Sequence, residues 1–428
     1  MDSNLGIRKK YSSTITKIIE LVKSRADFLL YMFVKLSSQF MSLITNILII
    51  SKLTTYEYGA YSLVLMVIGF TTTFGFEWSA SSIIYFGSKE NANTGALRKT
   101  FWSWAVISAT SGMLVISLII FFRTSIKLYL GGDYIYFIIF IVMVRVLRKI
   151  LVNYLLTTNR RKQSAYLFFV SNLLLLILVF TFNLTIEKIL ILLTISEMSS
   201  LVFALMVDKN HIGKPIFDMG NLKKILAFTL WQLFGFSGVY IINFGDNAVI
   251  KYFLTVSDVG VYNSAYKLFN SIAMLSYVLT SYFASKISVD IAKQNKAKIK
   301  QFFYRERVAI LFIVFIGHLV VGINAKFIIG VIYNASYKEA GFVLSILMIG
   351  SFFRYIESFN VIFYNSSGNH KVLQFTNIVQ AILNIVLDIF FVSIFGIVGA
   401  AIATSVALSS KAIFSLIFCE RKIRKMIT

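Results

Sequence analysis

Apolar residues along this chain come in runs of about 20, the length at which a helix crosses a hydrocarbon core. Twelve such runs fall at 27–50, 58–87, 101–122, 133–156, 164–183, 187–207, 225–250, 258–285, 308–325, 339–363, 372–394 and 396–418. Short polar segments separate them. The pattern predicts an all-α, polytopic membrane protein of about twelve transmembrane helices. A soluble chain would have to bury every run in one core, and single cores stop growing near this length. The one proline, Pro215, lies between runs, so no span carries a proline kink.

Inside several runs the polar residues keep helical spacing. Lys35, Ser38, Gln39, Ser42 and Asn46 share one face of the first helix. The seventh carries Gln232, Asn243, Asp246 and Asn247, and the eighth Asn263, Tyr266, Lys267, Asn270 and Ser271. The eleventh carries Asn377, Gln380, Asn384 and Asp388. Such stripes either line a watery cavity or hydrogen-bond helix to helix within the bilayer. On the first, seventh and eighth helices we read them as cavity-lining.

The chain also repeats itself. Residues 53–62 read LTTYEYGAYS and residues 254–263 read LTVSDVGVYN. Both fit L-T-x-x-(E/D)-x-G-x-Y, and both open an even-numbered helix from the same side. Six helices per half make the halves parallel, related by an axis along the membrane normal. The expected organisation is a lobe at 1–207, a linker at 208–222 holding Gly213, Pro215 and Gly220, and a second lobe at 223–428. These would be two pseudo-symmetric six-helix bundles around a central cavity. The first lobe opens with an amphipathic segment carrying Ile15, Ile18, Ile19 and Val22, expected to lie on the cytoplasmic surface.

Composition agrees: 57% of residues are hydrophobic and 14% charged, where soluble domains carry about 25% charged residues. The formal charge of +23 would suggest nucleic acid in a soluble protein. Here its distribution explains it. Polar segments on one side hold 28 lysines and arginines and those on the other side 7. The positive-inside rule then places both termini in the cytoplasm and leaves no role for nucleic acid. One cysteine, Cys419, and three scattered histidines offer neither a disulfide nor a metal site. No cleavable signal peptide is evident.

Several stretches resemble the oligosaccharide-lipid and polysaccharide flippases, within the superfamily that also holds multidrug antiporters. They are 327–350, FIIGVIYNASYKEAGFVLSILMIG, with its Tyr337-x-x-Ala340, and the Asn-rich 372–394. Gly396-Ile-x-Gly-Ala-Ala-Ile-Ala-Thr404 follows. Glu57-x-Gly59-x-Tyr61 and Asp258-x-Gly260-x-Tyr262 fit as well. The resemblance covers the whole layout and says little about substrate. Asn334-Ala335 stands where the family more often has a glycine, and Asp388 where it is more often neutral. The run from Gly396 to Ala403 reads as close helix packing.

What the resemblance implies is alternating-access transport of a lipid-linked, anionic oligosaccharide across the inner membrane. Membrane lipids, a polysaccharide polymerase and glycosyltransferases are the implied partners. Charges inside spans are costly and mark function. The basic ones are Lys35, Arg145, Arg148, Lys149, Lys267, Arg354 and Lys411; the acidic ones are Glu77, Glu197, Asp246, Glu357 and Asp388. Arginine offers a planar fork matched to phosphate oxygens. Lys35, Arg145, Arg148, Lys267 and Arg354 are therefore candidate substrate contacts. Lys149 is expected to snorkel, and Arg354 and Glu357, three residues apart, form an expected ion pair that competes with Arg354's substrate role. Glu77 and Asp246 are candidates for coupling to a proton or sodium gradient. No cofactor, metal site or catalytic group is expected: the short loops hold no metal, nucleophile or phosphate-loop motif. Residues 88–100, SKENANTGALRKT, also lack the signature of sugar-porter facilitators. A cation-coupled multidrug antiporter is the alternative, but it would favour an acidic cavity.

Overall fold

The computed structural model describes residues 30–207, 216–366 and 370–427. Helix α1 runs Leu30–Lys52. It is followed by α2 (Thr55–Gly75), α3 (Ala80–Thr94), α4 (Lys99–Phe121), α5 (Arg123–Leu130), α6 (Ile135–Thr157), α7 (Arg161–Thr181) and α8 (Ile186–Val207). Then come α9 (Met219–Phe253), α10 (Val256–Ala292), α11 (Lys296–Gln301), α12 (Arg307–Ile323), α13 (Ala325–Ile332), α14 (Ala340–Ser366), α15 (His370–Phe395) and α16 (Ile397–Ile427). A π-helical turn joins α11 to α12. Among the described residues there is no strand. The expected amphipathic N-terminal segment and residues 208–215 of the linker lie outside the described residues.

Over their described residues all twelve predicted runs fall on helices, with α5 and α13 as short additions between spans. Among the described residues, nine helices are long and apolar enough to cross a membrane. The shortfall is in α6, α8 and α10. Arg145, Arg148 and Lys149 sit in α6; Glu187, Lys188 and Glu197 in α8; Asn263, Lys267 and Asn270 in α10. In α6 the three cations, and in α10 the amides and the lysine, make the span less apolar. Large apolar side chains face outward elsewhere, among them Phe121, Phe180, Ile323 and Phe327. That surface is stable only in lipid, and the protein is a multi-pass membrane protein.

One predicted helix is two. The run at 58–87 breaks at Phe76, whose backbone leaves helical geometry, and continues through a 3-10 turn at Glu77–Ser79 into α3. The break is held by α4. Ser111 Oγ donates to the freed Gly75 carbonyl at 2.6 Å, and Trp104 Nε1 donates to Ser79 Oγ at 3.0 Å. The Phe76 ring lies on Gly112, where a Cβ would collide with it. A neighbouring helix re-satisfies the broken backbone, as the bilayer demands.

The two repeat motifs meet each other. Thr54 and Glu57 form a capping box on α2, and Thr255 and Asp258 form the same box on α10. Each satisfies two orphan backbone donors of its helix. The glycines then let the helices cross at backbone distance. A Cβ on Gly59 would overlap the Val256 carbonyl oxygen, and one on Gly260 the Thr55 carbonyl oxygen. The contact is reciprocal, as an axis between the motifs requires. Tyr61 and Tyr262 are both buried below the crossing. Tyr337, of the Tyr-x-x-Ala motif, closes this end by donating to the carbonyls of Leu53 at 3.2 Å and Thr54 at 3.1 Å.

Candidate functional site

The first polar centre is built on α6. Arg145 and Arg148 stand one turn apart, and both turn toward Glu197 of α8. Arg145 donates to that carboxylate through Nε at 3.0 Å and Nη2 at 2.6 Å. Arg148 Nη2 lies 3.9 Å from the same carboxylate, and its Nη1 donates to Ser171 Oγ of α7 at 3.3 Å. Arg148 Nε is buried with no acceptor. Its guanidinium also lies over the Phe168 ring, 5.2 Å from the centroid. Lys149, expected to snorkel, instead forms an ion pair with Glu77 at the α2–α3 break. Three cations thus face two carboxylates. Arg145 gives Nε and Nη2 to Glu197; Arg148 keeps Nε without an acceptor and Nη2 beyond hydrogen-bond reach of that carboxylate.

A second centre joins α9, α10, α15 and α16. Asp246 accepts from the Tyr262 hydroxyl, from Thr404 Oγ1 at 2.9 Å and from Asn384 Nδ2 at 3.2 Å. Asn384 Nδ2 also donates to Asp388 at 2.9 Å. Asn384 thus bridges the two carboxyls, and Asp388 is fully buried with Oδ1 left unpartnered. Two carboxyls so placed cannot both be ionised unless a cation lies between them. Among the described residues no group of three or more His, Cys, Asp or Glu could hold a metal ion, so a cation here would rely on the amide and hydroxyl oxygens as well.

The remaining candidates lie on separate elements. Lys267 is half-buried, on the α10 face that descends two turns from Gly260. Lys35 is exposed on α1, with Nζ 5.7 Å from the Tyr31 ring centroid. The expected Arg354–Glu357 pair does not form. Glu357 pairs with Lys411 of α16 at 2.6 Å, and Lys411 also donates to Asn377 at 2.6 Å. Arg354 instead donates to the Tyr277 hydroxyl at 3.1 Å. A cation on another helix reached Glu357 at better geometry than its neighbour along the same helix.

The end opposite the crossing is closed by α4 and α9. Lys99 Nζ lies 3.6 Å from the Asp218 carboxylate, and Asn221 Nδ2 reaches Ser103 Oγ at 3.4 Å. Asp218 caps α9. Hydrogen bonds from the backbone of Asn221 and Gly220, then the Lys99 charge, hold its carboxyl below the usual aspartate range. Tyr85 stacks on Phe228 beside this contact, ring centroids 5.4 Å apart.

Glu197, Asn384, Asp388 and Thr404 are not among the candidate site residues read from the sequence, although Glu197 and Asp388 stand among its acids inside spans. Asn384 and Asp388 had a signal, their i,i+4 place on the eleventh-helix stripe. The signal for Glu197 is its charge inside a span; Thr404 has none beyond being polar in an apolar run.

Comparison with known proteins follows this geometry. The probable low-salt glycan biosynthesis flippase Agl15 of Haloferax volcanii is 22% identical over 300 residues, 69% of this chain and 62% of that protein. An uncharacterised membrane protein of Methanocaldococcus jannaschii, MJ1068, is 24% identical over 217 residues, 49% of this chain and 41% of that one. The chain thus spans less than two thirds of these relatives' lengths. Among solved structures, the lipid II flippase MurJ in an inward closed conformation superposes with a TM-score of 0.74 at 18% identity, covering 93% of this chain and 90% of that one. An inward-facing multidrug resistance MATE family transporter gives 0.69 at 15% identity, covering 92% and 98%. At these identities the likeness is one of fold. The family described as polysaccharide biosynthesis protein matches residues 24–285, more than half of the sequence, and the chain belongs to that family.

Proposed function

We propose that this protein is a flippase, a transporter rather than an enzyme. It moves a polyisoprenyl-(pyro)phosphate-linked oligosaccharide from the cytoplasmic to the outer leaflet of the inner membrane, for cell-surface polysaccharide assembly. The observation that carries this is Arg148, a buried arginine with an unpartnered Nε in a cluster where cations outnumber carboxylates. A phosphate oxygen fits those open donors. The printed names of a glycan flippase and a lipid II flippase among the similar proteins support the class. Lobes 1–207 and 223–428 rock about the Gly59–Gly260 crossing, which faces outward when both termini are cytoplasmic. Lys35, Lys267 and Arg354 extend the positive lining for the glycan head, and the lipid tail stays in the bilayer. Glycosyltransferases supply the substrate and a polymerase consumes it.

Coupling belongs to the second centre, which deepens the expectation for Asp246. A proton or sodium ion held between Asp246 and Asp388, with Asn384 and Thr404 as neutral oxygens, removes the repulsion between the carboxyls. Glu77 is tied to Lys149 and is the weaker coupling candidate. The same acidic centre is what a multidrug antiporter would use, so the assay must separate the two.

Purified protein in proteoliposomes, given a fluorescent polyprenyl-pyrophosphate disaccharide, reports flipping per inserted molecule. Losing one charge-assisted contact costs roughly 1.5–3 kcal/mol, so Arg148→Ala is expected to slow flipping about ten- to hundredfold, with Arg148→Lys restoring part. Asp388→Asn is expected to abolish stimulation by an imposed proton or sodium gradient. Normal flipping by Arg148→Ala overturns the phosphate contact. Ethidium transport with no flipping favours the antiporter.

A further inference from the structure

At the end opposite the crossing, the second half of the chain builds a compact platform beyond its spans. Helix α10 has 37 residues and α16 has 31, or about 55 and 46 Å of helix against a hydrocarbon core of about 30 Å. Their overhanging ends do not fray apart. Ile287 and Ile291 of α10, Ile299, Phe302 and Phe303 of the α11 segment, and Cys419 and Ile423 of α16 share one buried core. Arg307 pins it from below, donating to the Phe303 and Asn360 oxygens and to Glu420.

That core gathers two basic segments more than a hundred residues apart in sequence. Lys293, Lys296, Lys298, Lys300 and Arg305 are exposed from one, and Arg421, Arg424 and Lys425 from the other. The acids nearby are Asp290, Glu306 and Glu420, all half-buried; Glu306 accepts from Gln301 and Glu420 from Arg307, and the basic residues outnumber them. The positive-inside bias accounts for these residues being on one side of the membrane. It does not account for their alignment. Along the exposed face of the helix from Lys296 to Ile323, positions 296, 300, 304, 308, 312, 315 and 319 read Lys, Lys, Tyr, Val, Phe, Phe, Leu, and every one is exposed. Basic residues pass into an interfacial tyrosine and then into lipid-facing apolar side chains on one continuous row. The apolar part of that row is suited to face lipid, which puts its basic end at headgroup level.

We propose that this platform is a binding surface for anionic phospholipid headgroups, filled by lipids of the leaflet on that side. Four to eight clustered Lys or Arg beside a span are the chemistry that selects acidic over zwitterionic lipid. The surface is separate from the α6 cluster and does not depend on the transported substrate. A soluble acidic protein is the less suited occupant, because the row continues into the bilayer.

The test uses the full-length protein in phosphatidylcholine nanodiscs doped with phosphatidylglycerol, with retained lipids identified by native mass spectrometry. Wild type is expected to retain phosphatidylglycerol over phosphatidylcholine about tenfold, each basic residue being worth about fivefold at most. That preference is expected to collapse in about 1 M salt, where screening reaches within about 3 Å. The variant K296Q/K300Q/R421Q/R424Q is expected to lose most of it. The charge-preserving variant K296R/K300R/R421K/R424K is expected to keep it. A wild-type preference that is absent or indifferent to salt overturns the proposal without reference to any variant. So does equal retention by the glutamine variant.

Discussion

Glu197 decides how the α6 arginines are presented. It is 2% exposed and takes the Arg145 fork on two bonds. Removing one partner of a buried ion pair leaves the other charge uncompensated, at a cost of roughly 3–5 kcal/mol. Glu197→Gln is therefore expected to melt well below wild type in detergent, and Glu197→Asp to recover part of the loss. Equal melting temperatures would mean that Arg145 is solvated and not held by Glu197. The arginines themselves were legible in the sequence, because a cation near the middle of a span is unusual wherever its side chain ends up. Their partner was not. Spacing along one helix reveals only neighbours three or four residues away, and Glu197 lies 52 residues from Arg145. The same limit produced the Arg354–Glu357 pairing that Lys411 displaces.

At the scale of elements, the repeat was the best-read feature, because each of its fixed positions has a local cause. Threonine and the acid cap the helix, glycine admits the crossing backbone, and tyrosine is buried beneath it. The break between α2 and α3 was not readable, since Gly75-Phe76 looks like any apolar step and its carbonyl is satisfied only by a serine on α4. The crossing makes a sharp prediction. An alanine at Gly260 would meet backbone, which cannot rotate away, so α2 and α10 must separate. Overpacking of this kind costs about 1–3 kcal/mol. Gly59→Ala and Gly260→Ala are each expected to lower thermal stability by that order. Gly317→Ala, with nothing within 4 Å of the added carbon, should leave it unchanged or slightly raised. Equal effects at all three positions would remove the crossing as a packing constraint.

Taken whole, the molecule is tied shut at both ends. Gly59–Gly260 and Tyr337 hold one end, and Lys99–Asp218 with the α4–α9 contact holds the other. Alternating access requires each tie to open in turn. The two ties differ in kind. The crossing itself is backbone against backbone. The Lys99–Asp218 tie is an exposed ion pair, screened by solvent and salt. Because the Asp218 carboxyl is held below the usual aspartate value, its contribution is present above about pH 4 and is lost only as pH falls further. Physiological pH changes therefore leave this tie in place. The only native cysteine, Cys419, is buried, so introduced pairs react cleanly. A Lys99→Cys, Asp218→Cys variant bridged by a short bis-maleimide is expected to stop flipping in proteoliposomes. Each single cysteine treated alike should flip normally, as should the pair before bridging. Undiminished flipping with the bridge in place would show that this end does not open during turnover, and the two lobes would then have to pass their substrate by some motion other than rocking about the crossing.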